Sequence, residues 1–497
     1  MVVEGTIAMK DFQSESLSHD PIHGYIPFTA PTGLPAGEVA ERELIDHPWI
    51  QRLRQIHQLQ TAWWVFPSAE HTRFQHVLGA MHLASRADTT LYDSLREVCP
   101  DAPSRGYVES LMRMAALLHD VGHGPFGHFF DEHFLADYGL NHEILGGEII
   151  RREFSELLRR IRRNPNGRLA DDETLDPEQI IFLITRPSGT TADGPQWLRF
   201  LRGLFSGLYT VDNMDFVLRD AYMSGYSTRA FDLARLLHYS QFTERGLTIH
   251  ERGLSALVRF ISVRAELFRA IYFHRTVRAI DLELQEVFRA SKPYLFPGDP
   301  REHLDEYQRL TEWSLLMRVA GWCDKGCEEK GTGSERSEVP VPLSSQPRSD
   351  DAELRELGER WRALSGRHLR WKMACERTVF FAPGEAERAS VLSNTASFET
   401  ALRAELPPAL KQLPLKVDTA RHVHRPGAHT PSAGQNFLYD PATGKIRSLD
   451  DRELFRRIAI SFRICRIYAL DHAHEPELSA ALDRLTGDTA ADEATNM

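Results

Sequence analysis

The sequence is poor in cysteine and has no long apolar run. Its 497 residues include five cysteines, an odd number that gives no disulfide framework and fits a reducing compartment. Cys323 and Cys327 form a lone C-x-x-x-C, which is too few ligands for a zinc site. No apolar stretch approaches the ~18 residues of a membrane-spanning helix, and the N-terminus lacks the basic and apolar segments of a signal peptide. We therefore expect a cytoplasmic protein without a membrane partner.

The sequence also lacks an excess of basic residues. The formal net charge is -11, so an extended nucleic-acid footprint is not expected. A small anionic ligand remains compatible with this charge, because local arginines can bind phosphate through the planar guanidinium fork.

Helical periodicity dominates the first two thirds of the chain. Apolar residues recur at three and four positions in segments such as Ala256–Phe273. Short strand-like runs such as Arg377–Ala382 follow later, and the last strong helix is predicted at Asp451–Tyr468. The fold class is therefore mainly α with a smaller mixed α/β C-terminal lobe. The predicted organisation is a flexible tail (1–19), a helical domain (20–322), a flexible linker (323–350), the C-terminal lobe (351–484) and a second tail (485–497).

The strongest chemical motif lies at the end of an apolar helix. In ALLHDVGHGPFGHFFDEHF (Ala116–Phe134) the helix ends at His119 and Asp120, and glycines and a proline then break it. An imidazole beside a carboxylate suits a divalent cation. A lone His-Asp pair is more often a simple helix-end pair, so the interpretation depends on additional ligands.

His76 and Asp212 are candidates for these additional ligands. Taken alone, His76 is better explained as a helix histidine and Asp212 as an N-cap. Together with His119 and Asp120 they would form a two-histidine, two-carboxylate site. A cation in such a site lowers the pKa of water and binds phosphoryl oxygens.

More histidines follow the His-Asp pair. Asp131 lies three residues after His128, which places both side chains on one helix face. A neighbouring carboxylate orients a histidine and raises its pKa, as a general acid requires. A solvated surface pair is the alternative. His123 and His142 lie close in sequence to this pair.

These residues resemble the HD superfamily, and more narrowly the deoxynucleoside triphosphate (dNTP) triphosphohydrolases of the sterile-alpha-motif-and-HD type. The likeness covers the HD core, from Asp20 to about Ala290, without a sterile-alpha-motif domain. Seven segments carry it in order: Asp20–Gly24, Ile50–Gln60, Val65–Gly79, Leu117–His128, His142–Glu143, Val211–Asp220 and Ala270–Val277.

The resemblance implies an all-helical catalytic core and a role for each matching residue. It places a divalent metal (Fe, Mn, Zn or Mg) in the site, with Mg²⁺ on the triphosphate. The expected reaction converts a dNTP to a deoxynucleoside and inorganic triphosphate. The implied metal ligands are His76, His119, Asp120 and Asp212. The implied catalytic residues are His128 as general acid, Asp131, His142 and Arg73. The implied substrate-binding residues are Gln58, Leu59, Arg73, His123, Phe216, Asp220, Arg264 and Tyr272.

Three positions depart from the family pattern. Asn213 replaces a phosphate-binding lysine, Phe216 replaces a tyrosine, and Phe273 replaces an amide side chain. These departures leave the metal residues in place and bear on substrate preference.

The resemblance also implies an allosteric site and an assembly. Asp46, Gln51 and Arg54 match positions that read guanine in an activating GTP or dGTP. Glu15 and Ser16 stand where a basic contact is expected. Gln51, Arg52 and Arg54 could instead be simply the polar face of a helix. The family implies a homo-oligomer, either a dimer or a tetramer.

Two other functions stay open from the sequence. One is a phosphohydrolase of the same superfamily acting on nucleoside monophosphates or cyclic nucleotides. The other is a nucleotide-sensing or nucleic-acid-binding module with a vestigial site. The intact metal and acid residues argue against the second alternative, as does the net acidity.

Overall fold

The computed structural model describes residues 12–185, 194–323, 349–381, 391–423, 437–449, 453–456, 458 and 461–487. Residues 324–348 of the predicted linker, with Cys327, lie outside this part of the chain. So do residues 1–11 and 488–497 of the predicted tails.

Two long helices form the centre of the fold. Helix α3 (Arg73–Val98) packs against α4 (Arg105–Leu118). Ser104 caps α4 by accepting a hydrogen bond from Tyr107 N at 3.2 Å. Nearly every side chain of α4 is buried, including charged ones, as expected for a helix surrounded by others. Its end is therefore held inside the molecule, where the His-Asp pair follows.

The other helices of the described residues precede or follow α3 and α4 along the chain. They are α1 (Glu41–Ile45), α2 (Pro48–Gln51), α5 (His128–His133), α6 (His142–Ile149), α7 (Ser155–Arg159), α8 (Pro177–Ile184), α9 (Gln196–Arg202), α10 (Val211–Met223), α11 (Leu233–His238), α12 (Leu254–Leu267), α13 (Arg275–Leu295), α14 (Leu304–Arg309), α15 (Glu312–Ala320), α16 (Ser349–Ser365), α17 (Thr395–Glu405), α18 (Glu453–Arg456) and α19 (Glu475–Thr486). Among the described residues, no helix is both long and apolar enough to cross a membrane.

Four small sheets accompany the helices. Two are hairpins, β1 with β2 and β3 with β4; the others have the strand orders β10-β9-β6-β5 and β7-β11-β8. Within the larger sheets all neighbours are antiparallel except β6 and β9. The strands are β1 (Glu15–Asp20), β2 (Gly24–Thr29), β3 (Arg163–Asn164), β4 (Gly167–Arg168), β5 (Ser240–Thr243), β6 (Gly246–His250), β7 (Lys372–Phe381), β8 (Leu415–Val423), β9 (Phe437–Asp440), β10 (Lys445–Ser448) and β11 (Ser461–Ala469).

The mainly helical fold with strands in the C-terminal part is confirmed. The predicted helix Asp451–Tyr468 is wrong: its described part contains the short α18 and most of the central strand β11. Every residue of β11 is buried, because β7 and β8 flank it and helices cover it. A short apolar run of this kind does not distinguish a buried strand from a buried helix.

Two further details differ from the expected organisation. Residues 15–19, predicted as tail, belong to β1. Helix α16 packs against α13 and α15 in the main core through Leu357 and Trp361, although the sequence assigned it to the C-terminal lobe. A separate small core lies between the β7-β11-β8 sheet and helices α17 and α19.

Candidate active site

A tight turn follows the His-Asp pair and leads into α5. Phe126 and Gly127 both adopt left-handed backbone, with φ of 60° and 56°. Phe126 N donates to Glu312 Oε1 at 3.0 Å. A Cβ at Gly127 would lie 2.3 Å from Nη2 of Arg73, so a larger residue there would displace that guanidinium. The turn reverses the chain and places His128 on the same cavity as His119.

The four predicted metal ligands come together beside this cavity, and all of them except the buried His76 line it. His76 Nε2 lies 3.2 Å from His119 Nε2 and 3.1 Å from Asp212 Oδ1. His119 Nε2 lies 3.3 Å from Asp120 Oδ1 and 3.7 Å from Asp212 Oδ1. Helices α3 and α10 and the residues directly after α4 thus contribute donor atoms to one point.

The hydrogen bonds around both imidazoles fit a cation. His119 Nδ1 donates to the carbonyl of Ala116 at 2.8 Å, and His76 Nδ1 faces Asp215 Oδ2 at 2.8 Å. With both Nδ1 atoms engaged as donors, the two neutral rings present Nε2 lone pairs to each other at 3.2 Å. Such lone pairs repel each other unless a positive charge lies between them. Hydrogen-bond partners at Nδ1, here Ala116 O and Asp215 Oδ2, are typical of histidines that bind a metal through Nε2.

The electrostatics of His76 agree with this interpretation. Burial lowers the pKa of His76, but hydrogen bonds to Asp212 and Asp215 outweigh burial and raise the pKa to about 10. The surroundings of this imidazole therefore favour positive charge strongly.

Asp215 is a residue of the candidate site that the sequence reasoning missed. Its buried carboxylate accepts hydrogen bonds from His76, from His23 Nε2 at 2.7 Å, and from Arg219 Nε at 2.8 Å and Nη2 at 2.9 Å. Burial raises the pKa of Asp215, yet Arg219 and the histidines hold it well below its usual value. Its position three residues after Asp212 on one helix face was the available signal.

A second group of side chains, the Asp131 cluster (His123, His128, Asp131 and His142), lies beside the candidate metal ligands. His142 Nδ1 lies 2.5 Å from Asp131 Oδ2, and His128 Nδ1 lies 3.2 Å from the same oxygen. Burial raises the pKa of Asp131, but His123, His128 and His142 lower it below the usual range. Asp131 therefore stays ionised and orients two histidines that both line the cavity.

His128 and His123 differ in their access to this cavity. The His128 side chain is 69% exposed, whereas His123 is fully buried and stacks on His142 with ring centroids 3.8 Å apart. Burial lowers the pKa of His123 well below its usual value. His123 is not among the described residues that line the cavity.

The two predicted phosphate-binding arginines also differ. Arg73 lines the cavity and pairs through Nη1 with Asp120 Oδ2 at 2.6 Å. Arg264 is buried and donates from Nη1 to Leu208 O at 3.2 Å, and it is not among the described lining residues. Burial lowers the pKa of Arg264 to about 10, although Asp212 opposes this shift.

The predicted sugar-binding residues Tyr272 and Asp220 also line the cavity, which has a volume of about 330 Å³. Tyr272 donates its hydroxyl hydrogen bond to Asp220 Oδ2, and His71 Nε2 lies 2.7 Å from Asp220 Oδ1. A π-helical turn, Phe268–Tyr272, brings this tyrosine inward between α12 and α13. Gln58, Leu59 and Phe216 also line the cavity. The structure thus brings these predicted substrate residues together.

The predicted guanine-binding residues lie together on a different surface. Asp46 pairs with Arg42, and its carboxylate is 60% exposed. Gln51 Nε2 donates to Ile45 O at 2.8 Å, and Arg54 Nε donates to Gln51 Oε1 at 2.8 Å. None of the three is among the described residues that line the cavity, and their role stays a prediction.

Comparison with known proteins identifies an HD domain in the part of the chain that contains most of the candidate active site. The sequence profile of the HD domain matches residues 73–184. This segment contains Arg73, three of the four candidate metal ligands and the Asp131 cluster, and it ends before Asp212.

Several relatives resemble the chain more widely. The uncharacterised Bacillus subtilis protein YwfO is 28% identical over 338 residues, which are 63% of this chain and 67% of that protein. The deoxynucleoside triphosphate triphosphohydrolase SAMHD1 homolog of Dictyostelium discoideum is 27% identical, over 62% of this chain and 55% of the relative. Human SAMHD1 is 28% identical, over 56% and 45%. The matched region thus spans about half the length of these SAMHD1 relatives.

A solved structure supports the fold alone. A hypothetical protein from Aquifex aeolicus superposes with a TM-score of 0.62 at 21% identity, covering 94% of this chain and all of the other.

Proposed function

We propose that this chain, which carries an HD domain and is related in sequence to the SAMHD1 dNTP triphosphohydrolases, hydrolyses dNTPs to a deoxynucleoside and inorganic triphosphate. One observation carries the proposal. Three of the four candidate metal residues (His119, Asp120 and Asp212), the two histidines that Asp131 orients (His128 and His142) and the Asp220–Tyr272 pair line the same cavity. These are the groups needed at the phosphorus, at the leaving oxygen and at the sugar.

His76, His119, Asp120 and Asp212 would hold a divalent cation, with Mg²⁺ as the proposed counterion of the triphosphate. A bound divalent cation supplies Lewis acidity, which lowers the pKa of water and neutralises phosphoryl charge.

The protein's own groups provide the rest of the chemistry. Arg73 lies beside Asp120 and presents a guanidinium to the phosphates. His128 is the exposed member of the Asp131 cluster and donates a proton to the departing 5′ oxygen. Asp131, kept ionised, orients His128 and stabilises its imidazolium. His142 shares Asp131 and faces the same phosphates.

A panel of substrates tests this function against its alternatives. The protein is incubated with dNTPs, deoxynucleoside monophosphates and cyclic nucleotides, each with Mn²⁺ and Mg²⁺, and products are separated by chromatography. We expect turnover of the dNTPs and release of triphosphate. Turnover of monophosphates or cyclic nucleotides alone would replace the proposal, and binding without turnover would favour a nucleotide sensor.

Discrimination against ribose gives a first mutational prediction. The Tyr272 hydroxyl is fixed on Asp220, so the ring forms a rigid wall at the sugar, where a 2′-hydroxyl would be crowded. We expect dATP to be hydrolysed at least tenfold faster than ATP, since a misplaced polar group is rejected strongly. Tyr272→Ala should narrow this ratio, as measured by kcat/KM for both substrates.

Tyr222→Ala is the matched control, because Tyr222 is exposed on α10 and is not among the lining residues. Equal rates for dATP and ATP in the unaltered protein would contradict the sugar pocket.

Activation by a guanine nucleotide is a second mutational prediction. We propose that Asp46, Gln51 and Arg54 bind GTP or dGTP and that binding shifts the protein towards a dimer or tetramer. The exposed Asp46 carboxylate can accept two N–H bonds from the Watson–Crick edge of guanine. Asp46→Ala should therefore abolish stimulation of dATP hydrolysis by GTP while metal content is unchanged.

Glu97→Ala, on an exposed position of α3, is the control variant and should keep the stimulation. Coupling between the binding affinities of the two sites is reciprocal, so dATP should tighten GTP binding by the same factor by which GTP tightens dATP binding. Full hydrolysis without GTP, together with no response to added GTP, would remove the allosteric assignment.

A further inference from the structure

The cavity has a further group of polar lining residues that the sequence motifs did not indicate. Arg278 and Asp281, on α13, both line it, and Arg278 Nη1 lies 3.0 Å from Asp281 Oδ2. Asp281 Oδ1 also accepts from Thr61 Oγ1 at 2.6 Å and Gln60 Nε2 at 3.1 Å. No described hydrogen bond joins Arg278 or Asp281 to the candidate metal ligands, so these residues form a separate polar group.

The β7-β11-β8 sheet fixes the orientation of Arg278. Asp418, a buried residue of β8, accepts from Arg278 Nη2 at 2.7 Å and from Nε at 3.2 Å. Arg466 of β11 lies behind it, with Nη1 3.6 Å from Asp418 Oδ2. Arg278 therefore uses three of its five N–H donors on the two carboxylates. One N–H on each Nη remains, and the side chain is 27% exposed.

On the basis of the proposed function, we propose that Arg278 is a specificity-determining residue that binds an oxo group of the substrate's nucleobase, and that Asp418 is its positioning residue. A nucleotide whose phosphates lie at the candidate metal ligands and whose sugar lies at Tyr272 and Asp220 extends its base beyond the sugar. The polar lining residues that are left for the base are those around Arg278.

The charges and the apolar side chains around Arg278 favour binding of a base over binding of a phosphate. Asp281 and Asp418 together carry more negative charge than Arg278 offsets, and Arg466 pairs with Glu376 of β7, to which its Nε donates at 2.7 Å. A phosphate would therefore meet a field that is at best neutral. Phe273 and Val277 add apolar walls there, which suit the flat face of a base.

The donor pattern of Arg278 selects among bases. An arginine has no acceptor, so it binds bases through oxygen or ring nitrogen atoms, most specifically O6 and N7 of guanine. Adenine carries an amino group at position 6, whose N–H groups oppose those of the guanidinium. We therefore expect a 6-oxopurine to bind better than a 6-aminopurine.

The test compares deoxyinosine triphosphate (dITP) with dATP, which differ at position 6 and its adjoining N1. Binding is measured by competition against a fluorescent dNTP analogue, and turnover by chromatography. GTP is kept at one saturating concentration so that the proposed activator site is filled equally. The unaltered protein should prefer dITP by roughly tenfold, the order of one bidentate base contact.

Arg278→Met should bring the dITP:dATP binding ratio close to one without weakening dATP. Arg278→Lys keeps the charge but lacks the fork, so it should lose the preference as well. Asp418→Asn should reduce the preference partially, because Asp281 still holds one Nη. Arg289→Met, an exposed position on the same helix, should behave like the unaltered protein, and thermal melting checks that each variant is folded.

Two results would overturn the inference. An unchanged dITP:dATP ratio in folded Arg278→Met would show that Arg278 does not read the base. An equal loss of affinity for both nucleotides would identify a phosphate contact instead. Failure of the proposed function is distinguishable, because it appears as absent turnover while the binding ratio still reports on Arg278.

Discussion

Replacing His119 and Asp120 together with alanine is expected to abolish binding of a divalent cation and all turnover, with helical content unchanged. The two residues supply half of the converging donor atoms, and His119 Nε2 lies within 4 Å of both candidate carboxylate ligands. A site with only His76 and Asp212 left cannot hold a cation at ordinary affinity. Metal content by mass spectrometry, circular dichroism and dNTP turnover check the three parts of this expectation.

A matched control is the double alanine variant of His474 and Glu477. These residues form an exposed histidine–carboxylate pair in the C-terminal part of the chain, 4.0 Å apart. The control should keep metal and activity. Stoichiometric metal in the His119/Asp120 variant would remove the assignment of this site.

His128→Ala is expected to lower kcat by roughly two to four orders of magnitude, which is the usual contribution of a positioned general acid. The bound metal should remain, because His128 is not one of the converging donors. Substrate affinity should change little, since the loss lies in protonation of the leaving oxygen. Rapid-quench kinetics and metal analysis of the same sample separate these effects.

His133→Ala is the control for this variant. His133 lies on the same short helix and is not among the described residues that line the cavity. Asp131→Asn should reproduce most of the defect, because it removes the carboxylate that orients His128. Near-normal turnover of His128→Ala would make His128 a structural histidine and would transfer the acid role to His142, which is closer to Asp131.

The sequence allowed the site to be predicted where its residues lie on strongly patterned helices. The ligand candidates His76, His119 and Asp212 belong to or directly follow amphipathic or apolar helices, and hydrophobic periodicity fixes which way such helices face. Their convergence in the structure follows from the packing of α4 and α10 against α3.

Long-range partners were beyond this reasoning. Arg278 and Asp418 are 140 residues apart, and no spacing rule connects a helix residue with a strand residue at that distance. The strand β11 was predicted as a helix because its apolar run carries no clear period-2 alternation, being buried on both faces. Arg264 was assigned to the phosphates by resemblance, and the hydrogen bond from its guanidinium to the carbonyl of Leu208 is a contact that no motif indicated.

The measurement that tests the central proposal most directly is hydrolysis of dTTP in ¹⁸O-labelled water, with Mn²⁺, Mg²⁺ and GTP present. Attack of water on the α-phosphorus with cleavage of the bond to the 5′ oxygen predicts two products. These are unlabelled thymidine and inorganic triphosphate that carries one ¹⁸O in a terminal phosphate, both identified by mass spectrometry. Thymidine monophosphate with pyrophosphate, thymidine diphosphate with phosphate, or ¹⁸O in thymidine would contradict the proposed reaction.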